Sequence, residues 1–145
     1  MPTTLIETPH HEELFALEAH MRAAPPVDVP LEHAFCQGVY ARTVRIPAGT
    51  LVMGAIHRDE CFFVVREGEL WVSTGEGRSH HVAGDMVISP SGSKRAGLAI
   101  TDAVVTTFHA NPQDEQDEEK VWDMLTIAPP DNALPMHRMK ELSNA

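Results

Sequence analysis

Gly49-Thr-Leu-Val-Met-Gly-Ala-Ile-His57-Arg-Asp-Glu-Cys61-Phe-Phe-Val-Val-Arg-Glu-Gly68, followed after a short interval by Gly84-Asp-Met-Val-Ile-Ser-Pro90-Ser-Gly92-Ser-Lys-Arg95-Ala-Gly-Leu-Ala99, decides how this chain folds. Each stretch sets short β-rich runs between glycines and a proline, the residues that let a chain turn sharply. The same grammar extends outward from Gly38 to Ala110. Val39–Ile46, Leu51–His57, Cys61–Arg66, Leu70–Ser73, Met86–Ser89, Arg95–Ile100 and Ala103–His109 read as strands. Pro47-Ala48-Gly49, Arg58-Asp59, Glu67-Gly68, Gly75-Glu76-Gly77, Ala83-Gly84-Asp85, Pro90-Ser91-Gly92 and Thr101-Asp102 punctuate them. Many short strands at close, regular spacing predict an all-β sandwich or barrel.

The flanks read differently. Thr8-Pro9 looks like a cap and first helical position, and Leu14, Leu17 and Met21 recur at helical spacing until Pro25-Pro26 stops the run. Val27 to Gln37 reads as an extended arm. After the barrel, Asn111-Pro112 is expected to open an acidic helix with Val121, Trp122 and Leu125 on its buried side, broken by Ala128-Pro129-Pro130. The organisation is thus an N-terminal helix and arm over 1–37, a barrel over 38–110, and an acidic helix and tail over 111–145.

Composition narrows the function. With 43% apolar and 22% charged residues, 145 residues suit one folded domain. A net charge of −10 argues against nucleic-acid and anionic-membrane partners, whose phosphates attract Lys and Arg. The first ten residues lack the pattern of a secretory signal, and no apolar run approaches the roughly 20 residues that span a bilayer. The only cysteines, Cys36 and Cys61, are too few for a disulfide framework. A cytoplasmic protein with reduced thiols is expected. Cys36, Trp71 and Trp122 read as packing residues. His10-His11 and His80-His81 read as exposed and without a role.

The two opening stretches resemble the paired motifs of the cupin superfamily. The first motif matches at Gly49, His57 and Gly68, and the second at Gly84, Pro90 and Gly92. The resemblance covers about half the chain and implies a cupin jelly-roll barrel. The whole chain also resembles small cupin-like proteins of bacteria and their phages. The family's ligand positions fall on Ala55, His57, Cys61 and Arg95, so its usual three-His, one-Glu iron or manganese site cannot form. Cupin-like proteins often pair through sheet edges, and the expected assembly is a homodimer.

Strand alternation then identifies a pocket wall. If His57 faces inward, so do Ala55, Met53 and Leu51. Cys61 brings Phe63 with it, and Arg95 brings Gly97 and Ala99. A hairpin at Thr101-Asp102 is expected to set His109 opposite Arg95, and Val44 and Ile46 bring Tyr40 and Arg42 to the same face. Three readings follow. His57, Cys61 and His109 can hold a divalent transition metal (Fe, Zn, Ni or Mn), giving a metal-dependent dioxygenase, isomerase or lyase. Alternatively, Tyr40, Arg42, His57, Phe63, Arg95 and His109 bind a polar, anionic metabolite, since a guanidinium grips carboxylate or phosphate. The third reading is a ligand-sequestering or structural cupin without metal.

Overall fold

A computed structural model describes residues 11–25 and 27–127. The proposed cap at Thr8-Pro9, His10, Pro26, the Ala128-Pro129-Pro130 break and the tail lie outside the described residues. Helix α1 (His11–Arg22) buries His11, Leu14, Glu18 and Met21, whose spacing of three and four places them on one face. His11 is therefore not the exposed residue expected: its Nε2 lies 2.8 Å from the Gly92 carbonyl.

Among the described residues eleven strands follow, paired antiparallel throughout. They are β1 (Leu31–Cys36), β2 (Val39–Ile46), β3 (Leu51–Met53), β4 (Ile56–His57), β5 (Cys61–Glu67), β6 (Glu69–Thr74), β7 (Gly77–Val82), β8 (Met86–Ser89), β9 (Ala96–Ala99), β10 (Ala103–Ala110) and β11 (Thr126–Ile127). One sheet has the order β1-β2-β10-β5-β8 and a second the order β3-β9-β6-β7, with a small β11-β4 ladder beside them. Apart from the hairpins β1–β2 and β6–β7, links between the two large sheets cross from one to the other, as in a jelly roll. No helix among the described residues is long and apolar enough to cross a membrane.

Several expectations need correcting. The extended arm is a paired edge strand over Leu31–Cys36, and β7 was not foreseen because Arg78-Ser-His-His is polar and its burial pattern is almost wholly exposed. Asn111 does not cap a helix. Its side-chain amide donates to the Glu115 carbonyl at 2.9 Å and its oxygen accepts from the Glu115 backbone N–H at 3.2 Å, closing a loop. Helix α2 (Glu118–Leu125) starts later, with Asp117 as its cap, and it buries Val121, Trp122 and Leu125 as expected. Cys36 is exposed, not buried, because it sits on the outward side of the edge strand. Trp71 is also partly exposed, 4.9 Å beneath the Arg78 guanidinium.

The turns behave as the sequence requires. Gly49, Gly68, Gly84 and Gly92 all take positive φ. Gly68 is the tightest: a Cβ there would lie 2.1 Å from the Asp102 carbonyl oxygen. This glycine lets the β5–β6 and β9–β10 connections touch.

The core has two parts. Ile46, Phe63, Val65, Leu70, Val72, Ala99, Ala103 and Val105 fill the space between the sheets. Leu14, Met21, Tyr40, Met53, Ala55, Ala96, Val121, Trp122 and Leu125 join the two helices to the other end. Each large apolar side chain contributes about 1.5–3 kcal/mol on burial. The helices thus close one end of the barrel, and the site lies against that closure.

Candidate metal and anion site in the barrel

His57, Cys61 and His109 converge. Each is at most 5% exposed, and their ligand atoms all lie within 4.8 Å of one another. The backbone pins each from a different direction. His57 donates its N–H to the Ser93 carbonyl at 2.9 Å and accepts from the Gly92 N–H at 2.7 Å, so the second motif's turn holds the first motif's histidine. Cys61 opens β5 opposite Ser89 of β8. His109 lies on β10 opposite Tyr40 of β2.

The expected route to His109 was wrong although its direction was right. β9 and β10 are not a hairpin pair: β9 lies between β3 and β6, and β10 between β2 and β5. Arg95 and His109 therefore approach from opposite sheets. Alternation held for Met53 and Ala55, which line the cavity with His57, and failed for Leu51. Val52 lines the cavity, whereas Leu51 packs on the helix-side core.

A ladder of rings supports the cluster. His57 and His109 stack with centroids 5.4 Å apart and planes 10° apart. Tyr40 stacks behind His109 at 5.7 Å, and the Tyr40 hydroxyl meets His33 Nδ1 at 2.7 Å. Tyr40 is fully buried behind His109, outside the cavity wall. Trp122 meets both imidazoles edge-on at 5.9 Å. Sequence reasoning took Trp122 as packing; its apolar neighbours predicted a buried helix face but not which residues lay opposite it.

Beside the cluster opens a cavity of about 90 Å³. Its wall is mostly apolar, with Val44, Ile46, Phe63, Leu70, Val72 and Val105 prominent, and Arg42, Arg95, His57 and Thr107 supply polarity. No carboxylate lines it among the described residues. The guanidiniums are held by rings: Arg42 lies 4.1 Å over Trp122 and Arg95 lies 4.5 Å over Phe63. Arg95 also donates to the Ser89 hydroxyl.

Burial and these cations keep the imidazoles neutral. Burial chiefly, then Arg42 and Arg95, lowers His109 to about 3. The same causes, burial first, hold His57 well below the ordinary histidine value. Burial raises the Cys61 thiol, opposed by the charge of Arg95 and by hydrogen bonds to Ser89 and Arg95. Burial likewise pushes Tyr40 up to about 12.

The donor set fits a transition metal: two neutral imidazoles and a thiol, the ligand types such ions prefer. His57 Nδ1 is buried without a hydrogen-bond partner, a cost that a bound ion would remove. His109 Nε2 lies 2.8 Å from the Thr107 hydroxyl, a contact of the kind that orients a ligating ring.

A jelly-roll barrel that brings two histidines and a cysteine together is what these features define. Among solved structures, a salicylate 1,2-dioxygenase variant from Pseudoaminobacter salicylatoxidans in complex with gentisate superposes with a TM-score of 0.54 at 19% identity, covering 72% of this chain and 31% of that one. KdgF from Halomonas sp. gives 0.52 at 16% identity, covering 63% of this chain and 83% of the other. A cupin superfamily protein from Desulfitobacterium hafniense gives 0.51 at 12% identity, over 60% and 81% of the two chains. The fold is that of the cupin superfamily. No family model matches the chain, and no curated protein matches it.

Proposed function

We propose that the protein is a small-molecule cupin whose cavity takes an amphiphilic anion, an apolar body ending in a carboxylate or similar group. The observation that carries this is a wall holding two guanidiniums and no carboxylate among the described residues. The valine, isoleucine and leucine surface receives the apolar part, and Arg42 and Arg95 receive the charge. Acetate, hexanoate and benzoate titrated by calorimetry test it, with hexanamide as the neutral control. Affinity should rise with the apolar body and fall about tenfold or more in Arg95→Met. Equal binding of hexanamide and hexanoate would remove the anion reading.

A second reading is favoured by the orphaned His57 Nδ1: His57, Cys61 and His109 hold a transition metal beside the anion. When bound, the ion supplies a Lewis acid at the inner end of the cavity. His57 and His109 then present lone pairs, Cys61 loses its proton, and Trp122 keeps water from their flank. Dioxygenase, isomerase or lyase chemistry would all use that arrangement. Metal analysis after chelation and reloading tests it, and under about one-tenth equivalent of any transition metal would end it.

Homodimer formation is part of the same proposal. β8 is an edge strand, and Met86 and Ile88 on it are 63% and 60% exposed. An apolar, unblunted edge favours pairing with a second chain. A monodisperse monomer at micromolar concentration in light scattering would overturn it.

A further inference from the structure

We propose that the His57–Cys61–His109 cluster selects a soft monovalent cation, copper(I), over divalent ions. This rests on the metal reading above and adds the identity of the ion.

Charge is the first argument. Binding displaces the Cys61 proton to solvent, so the metal meets one thiolate and two neutral imidazoles. A copper(I) complex of that kind has no net charge. A zinc(II), iron(II), nickel(II) or manganese(II) complex carries one positive charge. That charge would sit beside Arg42, 4.1 Å over the Trp122 ring that meets both imidazoles, and Arg95, which donates to Ser89 opposite Cys61. The site is also nearly dry, His57, Cys61 and His109 being 3%, 5% and 3% exposed, so the repulsion is poorly screened. No acidic side chain lines the adjoining cavity among the described residues to offset it.

Ligand type is the second. Thiolate sulfur with imidazole suits copper and zinc, whereas manganese and the harder divalent ions prefer carboxylate and water. Here the position where the family pattern has its glutamate carries Cys61, and Ala55 offers only a methyl where a histidine is usual.

Coordination number is the third. Exactly three donors converge among the described residues, no two of them more than 4.8 Å apart. Around a small ion with bonds of about 2.0–2.3 Å, tetrahedral donors lie about 3.5 Å apart, and three donors in a plane lie slightly farther apart. Either geometry asks the three donors for a similar spacing. A three-coordinate ion asks for no fourth ligand, so the three protein donors suffice for it.

The test uses the full chain under anaerobic conditions. Copper(I), stabilised with acetonitrile, is titrated against bicinchoninate, and zinc(II) against a chromophoric chelator. Wild-type protein should bind one equivalent of copper(I), with a thiolate-to-copper absorption band in the near ultraviolet. It should keep that copper against a tenfold excess of zinc(II), and Cys61→Ser should abolish the band. Arg95→Met supplies the charge readout: zinc(II) affinity should improve about tenfold relative to copper(I) as one nearby positive charge is lost. Zinc(II) displacing copper(I), or a zinc-to-copper ratio unmoved in Arg95→Met, would overturn copper selectivity and leave the metal reading standing. Binding of no metal at all would overturn both and leave the anion reading intact.

Discussion

The imidazoles of His57 and His109 lie face to face, 5.4 Å between centroids and 10° between planes, though they come from strands far apart in the chain. Two protonated rings in that position would repel each other, and Arg42 and Arg95 would repel both. The stack is therefore a stack of neutral rings, and acid should attack it.

Both histidines have folded-state values below the unfolded one, His109 at about 3. Between about pH 6.5 and the folded values the unfolded chain binds more protons, so stability falls as pH falls. The metal-free protein should lose up to about 1.4 kcal/mol per pH unit for each histidine below pH 6. Urea unfolding at pH 7, 6 and 5 measures this. Replacing His109 with Asn should flatten the slope; an unchanged slope would mean the rings are not the groups responsible.

Lys94 and Glu18 pin α1 to the barrel. Lys94 is wholly buried, its Nζ 3.2 Å from Glu18 Oε1 and 2.9 Å from the Gly54 carbonyl. Burial lowers its pKa, and Glu18 acts against that. Removing one partner leaves a buried charge alone, so Glu18→Gln should cost about 3–5 kcal/mol. The double change Glu18→Leu with Lys94→Met should recover most of it. Chemical denaturation of wild type, the single and the double variant decides the point, and a double variant less stable than Glu18→Gln would show that the two groups do not act as a pair.

The two thiols should react at very different rates. Cys36 is exposed on β1, whereas Cys61 is buried and its thiol is raised. A brief iodoacetamide pulse at pH 7.5 should label Cys36 alone, and denaturant should release Cys61. Mass mapping reads the result; rapid labelling of Cys61 in folded protein would contradict its burial.

Trp122 closes the cluster from α2. Trp122→Ala should cost about 3–5 kcal/mol and open the imidazoles to water. It should also raise the two histidine values toward normal, visible as imidazole proton shifts in a magnetic-resonance titration. Histidines that stay depressed in this variant would locate their desolvation elsewhere.

Much of this was legible in the chain. The glycines at 49, 68, 84 and 92 must turn where they stand, because their backbone takes a positive φ that other residues rarely adopt. The strands β2 and β8 fall on the expected residues because apolar alternation between turn residues leaves few alternatives. His57, Cys61 and Arg95 were set inward by the ligand positions of the family resemblance, and alternation, a local property of extended chain, added Phe63.

Nonlocal relations were not legible there. Strand alternation says which way His109 points relative to its neighbours, but not which sheet β10 joins, and the supposed hairpin with β9 joins two different sheets. Nor does helical spacing say that α2 lays Trp122 on the histidines, or that α1 buries His11 and Glu18 against the second motif. The sequence by itself determined the turns, most of the barrel strands and the lost ligand pattern, because these depend on backbone sterics and residue chemistry. Only the tertiary structure decided which donors meet and which charges surround them, because contacts between distant segments form only when the whole core packs.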